Sequence, residues 1–128
     1  MQQQEIEKLL KSYDIDKLTV GVLGGHSALD VCAGAKKYGF KTLVVAQKGR
    51  EKTYSKYFKR RDAINRAGDV IGCVDELMTV EKFSDILQKK NQDELRKHNT
   101  IFIHSRYFWV YFDDFEKVEK EFNVPIFG

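Results

Sequence analysis

The fold of this 128-residue chain is decided by residues 18–47, which read LTVGVLGGHSALDVCAGAKKYGFKTLVVAQ. Residues 18–23 form a short apolar run with β-branched side chains, a pattern typical of a buried strand. Two glycines occupy the turn 24–27, and the apolar residues after it recur at helical spacing until Gly39. Residues 41–47 form a second apolar run. A strand, a glycine turn, a helix and a strand within about 30 residues have the dimensions of a βαβ unit.

The rest of the chain continues to alternate between helical and strand patterns. The further predicted elements are helix 3–13, strand 76–80, helix 81–98 with a capping break near Asn91, strand 100–103, helix 114–122 and strand 124–127. Strands that alternate with helices indicate a mostly parallel sheet with helices on both faces. We therefore expect a Rossmann-like, three-layer α/β domain.

Length and composition are those of a globular chain with one compact domain. The chain carries 22 basic and 19 acidic side chains and is 42% hydrophobic, unlike disordered or fibrous proteins. It has no apolar run near the ~20 residues of a membrane-spanning helix, and its N-terminus lacks a signal-peptide pattern. Cys32 and Cys73 are too few for a disulfide scaffold. We expect a cytoplasmic protein that does not engage a membrane.

Basic residues are concentrated in residues 48–66, which contain eight basic and two acidic side chains. Tyr54, Tyr57 and Phe58 lie among them. Such a stretch can bind RNA through phosphate contacts and base stacking, or it can bind an anionic small molecule. A solvated loop is the structural alternative. The sequence leaves these three interpretations open.

Polar side chains follow three of the predicted strands, in the loops 24–27, 47–50 and 104–107. Ligands of open parallel sheets bind beyond the C-terminal ends of the strands, so these loops are the candidate site. The first loop lacks the spacing of a dinucleotide or Walker A motif, and by itself it can be a plain strand-to-helix turn. Its amides at a helix N-terminus, with the Ser27 hydroxyl, can nevertheless hold a phosphate. The histidines have no partners at metal-ligand spacing, so we expect no metal site here.

Several stretches of the sequence resemble one enzyme family, in the same order along the chain. They are VGVLGGHSALDVCAGAKKYGFKTL at 20–43, Lys48-Gly49-Arg50 followed by Tyr54 and Phe58, Phe83-Ser84-Asp85-Ile86, and the closing Val124-Pro125-Ile126-Phe127-Gly128. Together they are similar to the archaeal formate-dependent AICAR ligases, the 5-formaminoimidazole-4-carboxamide ribonucleotide synthetases. The resemblance covers nearly the whole chain.

The resemblance implies an ATP-grasp ligase of purine (IMP) biosynthesis that formylates AICAR with formate and ATP, giving FAICAR, ADP and phosphate. Residues 1–128 would form its N-terminal, pre-ATP-grasp domain, which binds substrate. ATP and Mg²⁺ would bind a downstream ATP-grasp domain that these 128 residues do not contain, so this domain alone is expected to be inactive. The apolar ending after Pro125 also suggests a longer protein. The expected partners are AICAR and formate rather than nucleic acid. The resemblance is also compatible with a homo-oligomer of the full-length protein.

The family's substrate histidine corresponds to His26, and its second substrate loop corresponds to residues 104–108. Tyr107 stands where the family has serine, which keeps open a related ligase for a different phosphorylated amine. The other open alternative is a small RNA-binding module. No catalytic residue is assigned. The expected substrate-binding residues are Gly25, His26, Ser27, Arg50, Arg106 and Tyr107.

Overall fold

Five parallel strands form one sheet in the computed structural model, which describes residues 3–25, 27–60, 72–103 and 115–127. The strands are β1 Thr19–Leu23, β2 Lys41–Gln47, β3 Glu76–Val80, β4 Thr100–Ile103 and β5 Ile126–Phe127. The α-helices are α1 Gln3–Ser12, α2 Ala28–Lys37, α3 Lys89–Lys97 and α4 Phe115–Glu121. Short 3₁₀ helices span Ile15–Lys17 and Phe83–Leu87, and a π-helical turn spans Thr53–Tyr57. The expected α/β class is confirmed.

The strand order is β3-β2-β1-β4-β5, with parallel pairing at every neighbour. The chain therefore builds outward from β1 through β2 to β3, and then returns to the other side of β1. This order is that of a Rossmann-type doubly wound sheet, whose ligands bind at the C-terminal edge. The C-terminal ends of β1 and β2 lie side by side at that edge, since Leu23 pairs with Val45.

Alternate residues of the central strands enter two separate cores, one on each face of the sheet. On β2, Leu43 and Val45 join the cluster that contains α3 and α4 residues, whereas Val44 and Ala46 join the cluster on α2. This period of two is the geometry of a strand buried on both faces. The three-layer architecture follows from it.

The predicted break in the segment 81–98 is wrong in position. A 3₁₀ helix ends at Leu87, Gln88 is extended, and α3 begins at Lys89, so Asn91 lies inside a helix instead of capping one. The carboxylate of Asp85 accepts from the Lys82 amide at 3.2 Å, and the Asn91 side chain donates to the Asp85 carbonyl at 2.7 Å. The side chain of Asn91 therefore ties α3 to the preceding turn.

Gly39 ends α2 as the sequence predicts. It has φ +81°, a left-handed conformation that glycine adopts without steric cost, and its amide donates to the Lys36 carbonyl. Among the described helices, none is long and apolar enough to cross a membrane.

Candidate functional site

A cavity of about 460 Å³ opens at the C-terminal edge of β1 and β2. This volume lies in the range of small-molecule sites, roughly 300–1,000 Å³. Two of the three candidate loops contribute to it, together with residues that follow β2 and β3. The lining residues are Gly24, Gly25, Ala46, Gln47, Arg50, Thr53, Tyr54 and Phe83.

The turn after β1 forms the first wall of the cavity. The Gly24 amide donates to the Val45 carbonyl at 2.8 Å, which fixes the turn to the end of β2. A Cβ on Gly24 would lie 3.0 Å from the Tyr54 ring, so only glycine allows the ring to pack this closely. The Ala28 amide donates to the Gly25 carbonyl at 3.2 Å. The amides of Gly25 and Ser27 have no backbone partner among the described residues.

The loop after β2 forms the second wall, and its backbone is fixed at several points. The Lys48 amide donates to the Val80 carbonyl at 2.7 Å, and the Arg50 amide donates to the Gln47 carbonyl at 3.0 Å. Gly49 has φ +94°, which lets the chain reverse here. This short turn places Gln47 and Arg50 on the same cavity.

Two aromatic side chains from opposite faces of the sheet line the cavity. Tyr54 belongs to the α2-side core and Phe83 to the other core. Both are more than nine-tenths buried, and burial raises the pKa of the Tyr54 phenol, with a smaller contribution from Cys32. The phenol is therefore neutral at physiological pH. The cavity thus combines apolar walls with backbone donors, an amide side chain and a guanidinium.

The structure brings together only part of the expected substrate-binding set. Gly25 and Arg50 line the same cavity. Ser27 is the N-cap residue of α2, is half-buried, and uses its hydroxyl in no capping hydrogen bond. The other three residues, His26, Arg106 and Tyr107, lie outside the described residues.

Gln47, Thr53 and Phe83 were not among the expected binding residues, although each lines the cavity. The sequence position of Gln47 does indicate a place at the site, because it is the last residue of a predicted strand. No sequence pattern indicates this for Phe83, because its place in the cavity wall depends on how the segment after β3 packs. Sequence spacing does not report that packing.

Lys48, Lys59 and Arg60 of the basic stretch have acidic or carbonyl partners in the fold. Lys48 lies 3.5 Å from Glu81, and Arg60 lies 3.7 Å from Asp75. The Lys59 ammonium donates to the Asp75 carbonyl. Within the described residues, Arg50 forms no ion pair. These contacts engage only part of the stretch, and the side chains of Lys48 and Glu81 are largely exposed.

Metal binding has no support in the described ranges. There, no group of three or more His, Cys, Asp or Glu side chains could hold a metal ion.

A family model described as "Protein of unknown function (DUF1246)" matches residues 20–128, which include all of the sheet except Thr19, the first residue of β1. The chain belongs to the DUF1246 family. This DUF1246 chain is 38% identical over 125 residues to the 5-formaminoimidazole-4-carboxamide-1-(beta)-D-ribofuranosyl 5'-monophosphate synthetase of Methanobrevibacter smithii. It is also 38% identical over 124 residues to the synthetase of the same name from Methanothermobacter thermautotrophicus.

The fold has a solved counterpart as well. An IMP biosynthesis protein PurP from Thermococcus kodakaraensis superposes with a TM-score of 0.59 and 27% identity over 85% of this chain. The chain covers 29% of that protein and 30% of each of the two synthetases. The DUF1246 chain thus spans about 30% of the length of the relatives that it matches.

Proposed function

We propose that this chain is the ribonucleotide-binding, N-terminal part of an ATP-dependent ligase that converts AICAR, formate and ATP to FAICAR, ADP and phosphate. One observation carries the proposal. A cavity at the C-terminal edge of a Rossmann-type sheet combines the Gly24-Gly25 turn with Arg50, in a chain 38% identical to synthetases named for this product.

The cavity suits the two ends of a ribonucleotide monophosphate. The Gly25 and Ser27 amides at the start of α2 and the Arg50 guanidinium supply donors and positive charge for a phosphate. The aromatic walls, Tyr54 and Phe83, supply apolar surface for a flat heterocycle. His26, Arg106 and Tyr107 complete the proposed set from the sequence resemblance.

The role of this part of the ligase is to bind and orient its substrate. Binding energy from the phosphoribosyl end, which does not react, would hold the amine of AICAR in position for attack on activated formate. ATP and Mg²⁺ belong in the proposal to a downstream ATP-grasp domain. The proposal also includes a cytoplasmic location, small-molecule partners and a homo-oligomer of the full-length protein.

Calorimetric titration of AICAR into the chain tests this proposal. Arg50→Gln removes one positive charge inside the cavity, and Lys52→Gln removes one from the same segment outside the cavity residues. We expect saturable binding by the natural chain, about tenfold weaker binding by Arg50→Gln, and little change in Lys52→Gln. Equal weakening in both variants would show a non-specific charge effect and contradict the site.

Turnover is tested with the intact gene product that contains this chain. ADP release that requires both AICAR and formate is the expected result. ADP release with another phosphorylated amine, but not with AICAR, would instead support the related ligase that Tyr107 suggests. If the intact gene product neither binds AICAR nor turns it over, the proposal is overturned.

A further inference from the structure

We propose that Gln47 selects the carboxamide of the ligand, so that the cavity distinguishes a carboxamide-bearing ring from the same ribonucleotide without that group. This inference rests on the proposed function and assigns a specificity role within the same site. It concerns a residue that was not among the expected substrate-binding residues.

The backbone of Gln47 is held firmly where the cavity begins. Gln47 is the last residue of β2 and pairs with Val80 of β3. Its carbonyl accepts from the Arg50 amide at 3.0 Å, which closes the turn. These backbone bonds fix the point from which the Gln47 side chain starts, at the end of β2 beside the cavity.

Gln47 lines the cavity and is half-buried, and its side-chain amide forms no hydrogen bond with the described residues. The residues beside it along the cavity include Ala46 and Phe83, which offer no polar side-chain atom. An amide carries both a donor and an acceptor. The Gln47 amide is therefore an uncommitted group in the cavity lining that can give and receive a hydrogen bond at once.

A carboxamide on a flat ring is the complementary partner for such a group. Two primary amides can pair through two N–H···O bonds, one in each direction, with the planes of both groups aligned. A ligand that lacks the carboxamide leaves both bonds unmade, and a buried polar group without its partner costs binding energy. Arg50 offers only donors and serves an anion, so it cannot take this role.

The test is a binding cycle on the intact gene product, with AICAR and with 5-aminoimidazole ribonucleotide, which differs by the missing carboxamide. Gln47→Met keeps the size of the side chain and removes its hydrogen bonds. We expect the natural protein to prefer AICAR by about tenfold. In Gln47→Met the affinity for AICAR falls to that for the second ligand, whose own affinity is unchanged.

Arg50→Gln is the matched control, because it should weaken both ribonucleotides by the same factor and keep the preference. Gln47→Leu is a second variant, and it should also weaken AICAR selectively because it removes both hydrogen bonds without adding a charge near the phosphate. A preference that survives both Gln47 variants, or an equal loss for both ligands, overturns this inference and leaves the proposed function in place. If the natural protein binds neither ribonucleotide, the proposed function fails and this inference with it.

Discussion

Gly24 shapes the cavity because its position has no room for a side chain. A Cβ there would lie 3.0 Å from the Tyr54 ring and 3.2 Å from the Val45 carbonyl oxygen. Because Tyr54 lines the cavity, any side chain at this position would displace the wall. The cavity therefore depends on a residue that contributes only backbone.

Gly21 and Gly34 provide a paired test of packing at the residue scale. A Cβ on Gly21 would lie 2.6 Å from Thr100 Cγ2, whereas a Cβ on Gly34, inside α2, would meet nothing within 4 Å. Gly21→Ala should lower the free energy of unfolding by about 1–3 kcal/mol. Gly34→Ala should raise it by about 0.5–1 kcal/mol, because alanine favours the helix. Urea unfolding of both variants measures this, and a change of the same sign in both would contradict the packing described.

Cys32 gives a prediction for alkaline pH. Burial, together with the nearby Cys73, raises the pKa of the Cys32 thiol to about 12 from the ordinary 9.0. The folded state therefore binds this proton more tightly than the unfolded state. The stability it contributes is complete below pH 9 and is lost as the pH rises toward 12, with a slope of at most about 1.4 kcal/mol per pH unit.

Urea unfolding between pH 8 and pH 10.5 tests this prediction. The free energy of unfolding should fall above pH 9 in the natural chain, and the fall should be shallower in Cys32→Ala. The slope is the informative quantity, since removal of a buried side chain also lowers stability at every pH. Identical slopes in the two proteins would show that this thiol does not titrate with folding.

At the scale of elements, Asp75 joins three parts of the chain at the N-terminal edge of the sheet. Its carboxylate lies 2.8 Å from the Lys36 ammonium at the end of α2, accepts from the Thr42 amide of β2 at 2.9 Å, and pairs with Arg60. The side chain is 13% exposed. Residues 58–60 run parallel to residues 73–74 beside it, through a bridge of Lys59 with Val74.

Replacement of this carboxylate should loosen all three elements. Asp75→Asn keeps the shape and removes the charge, and we expect it to lower the free energy of unfolding by about 1–3 kcal/mol, the value of hydrogen bonds to a charged group. Asp93→Asn is the control, because Asp93 also contacts two cations, Lys89 and Arg96, but lies on the exposed face of α3. It should cost clearly less, since solvent screens exposed pairs. Equal losses in thermal unfolding experiments would contradict the structural role of Asp75.

At the scale of the whole molecule, local signals in the sequence predicted the elements and non-local packing decided the rest. The apolar residues of β2, which follow Gly39, correctly predicted a strand at 41–47, because a strand buried on both faces has a nearly continuous apolar sequence. The predicted position of the break missed Gln88, since the break depends on two contacts of Asp85, whose carboxylate accepts from the Lys82 amide and whose carbonyl accepts from the Asn91 side chain. The strand order could not be read from spacing, and neither could the place of Phe83 in the cavity wall.

The candidate site was predictable only in outline. The rule that ligands bind beyond the C-terminal ends of parallel strands led to Gly25 and Arg50, which the structure places on one cavity. It could not show that the Ala28 amide is already used by the turn, nor that Tyr54 packs against Gly24. Such details arise when distant parts of the chain meet.

The most direct test of the central claim is an amide chemical-shift titration of the ¹⁵N-labelled chain with AICAR. We predict saturable shifts in the two loops of the cavity, at Gly24, Gly25 and residues 47–54. A second cavity of about 390 Å³, lined among others by Lys8 and Arg96, provides an internal control on another part of the surface. Shifts centred on that second cavity, with the two loops unaffected, would contradict AICAR binding at the edge of β1 and β2.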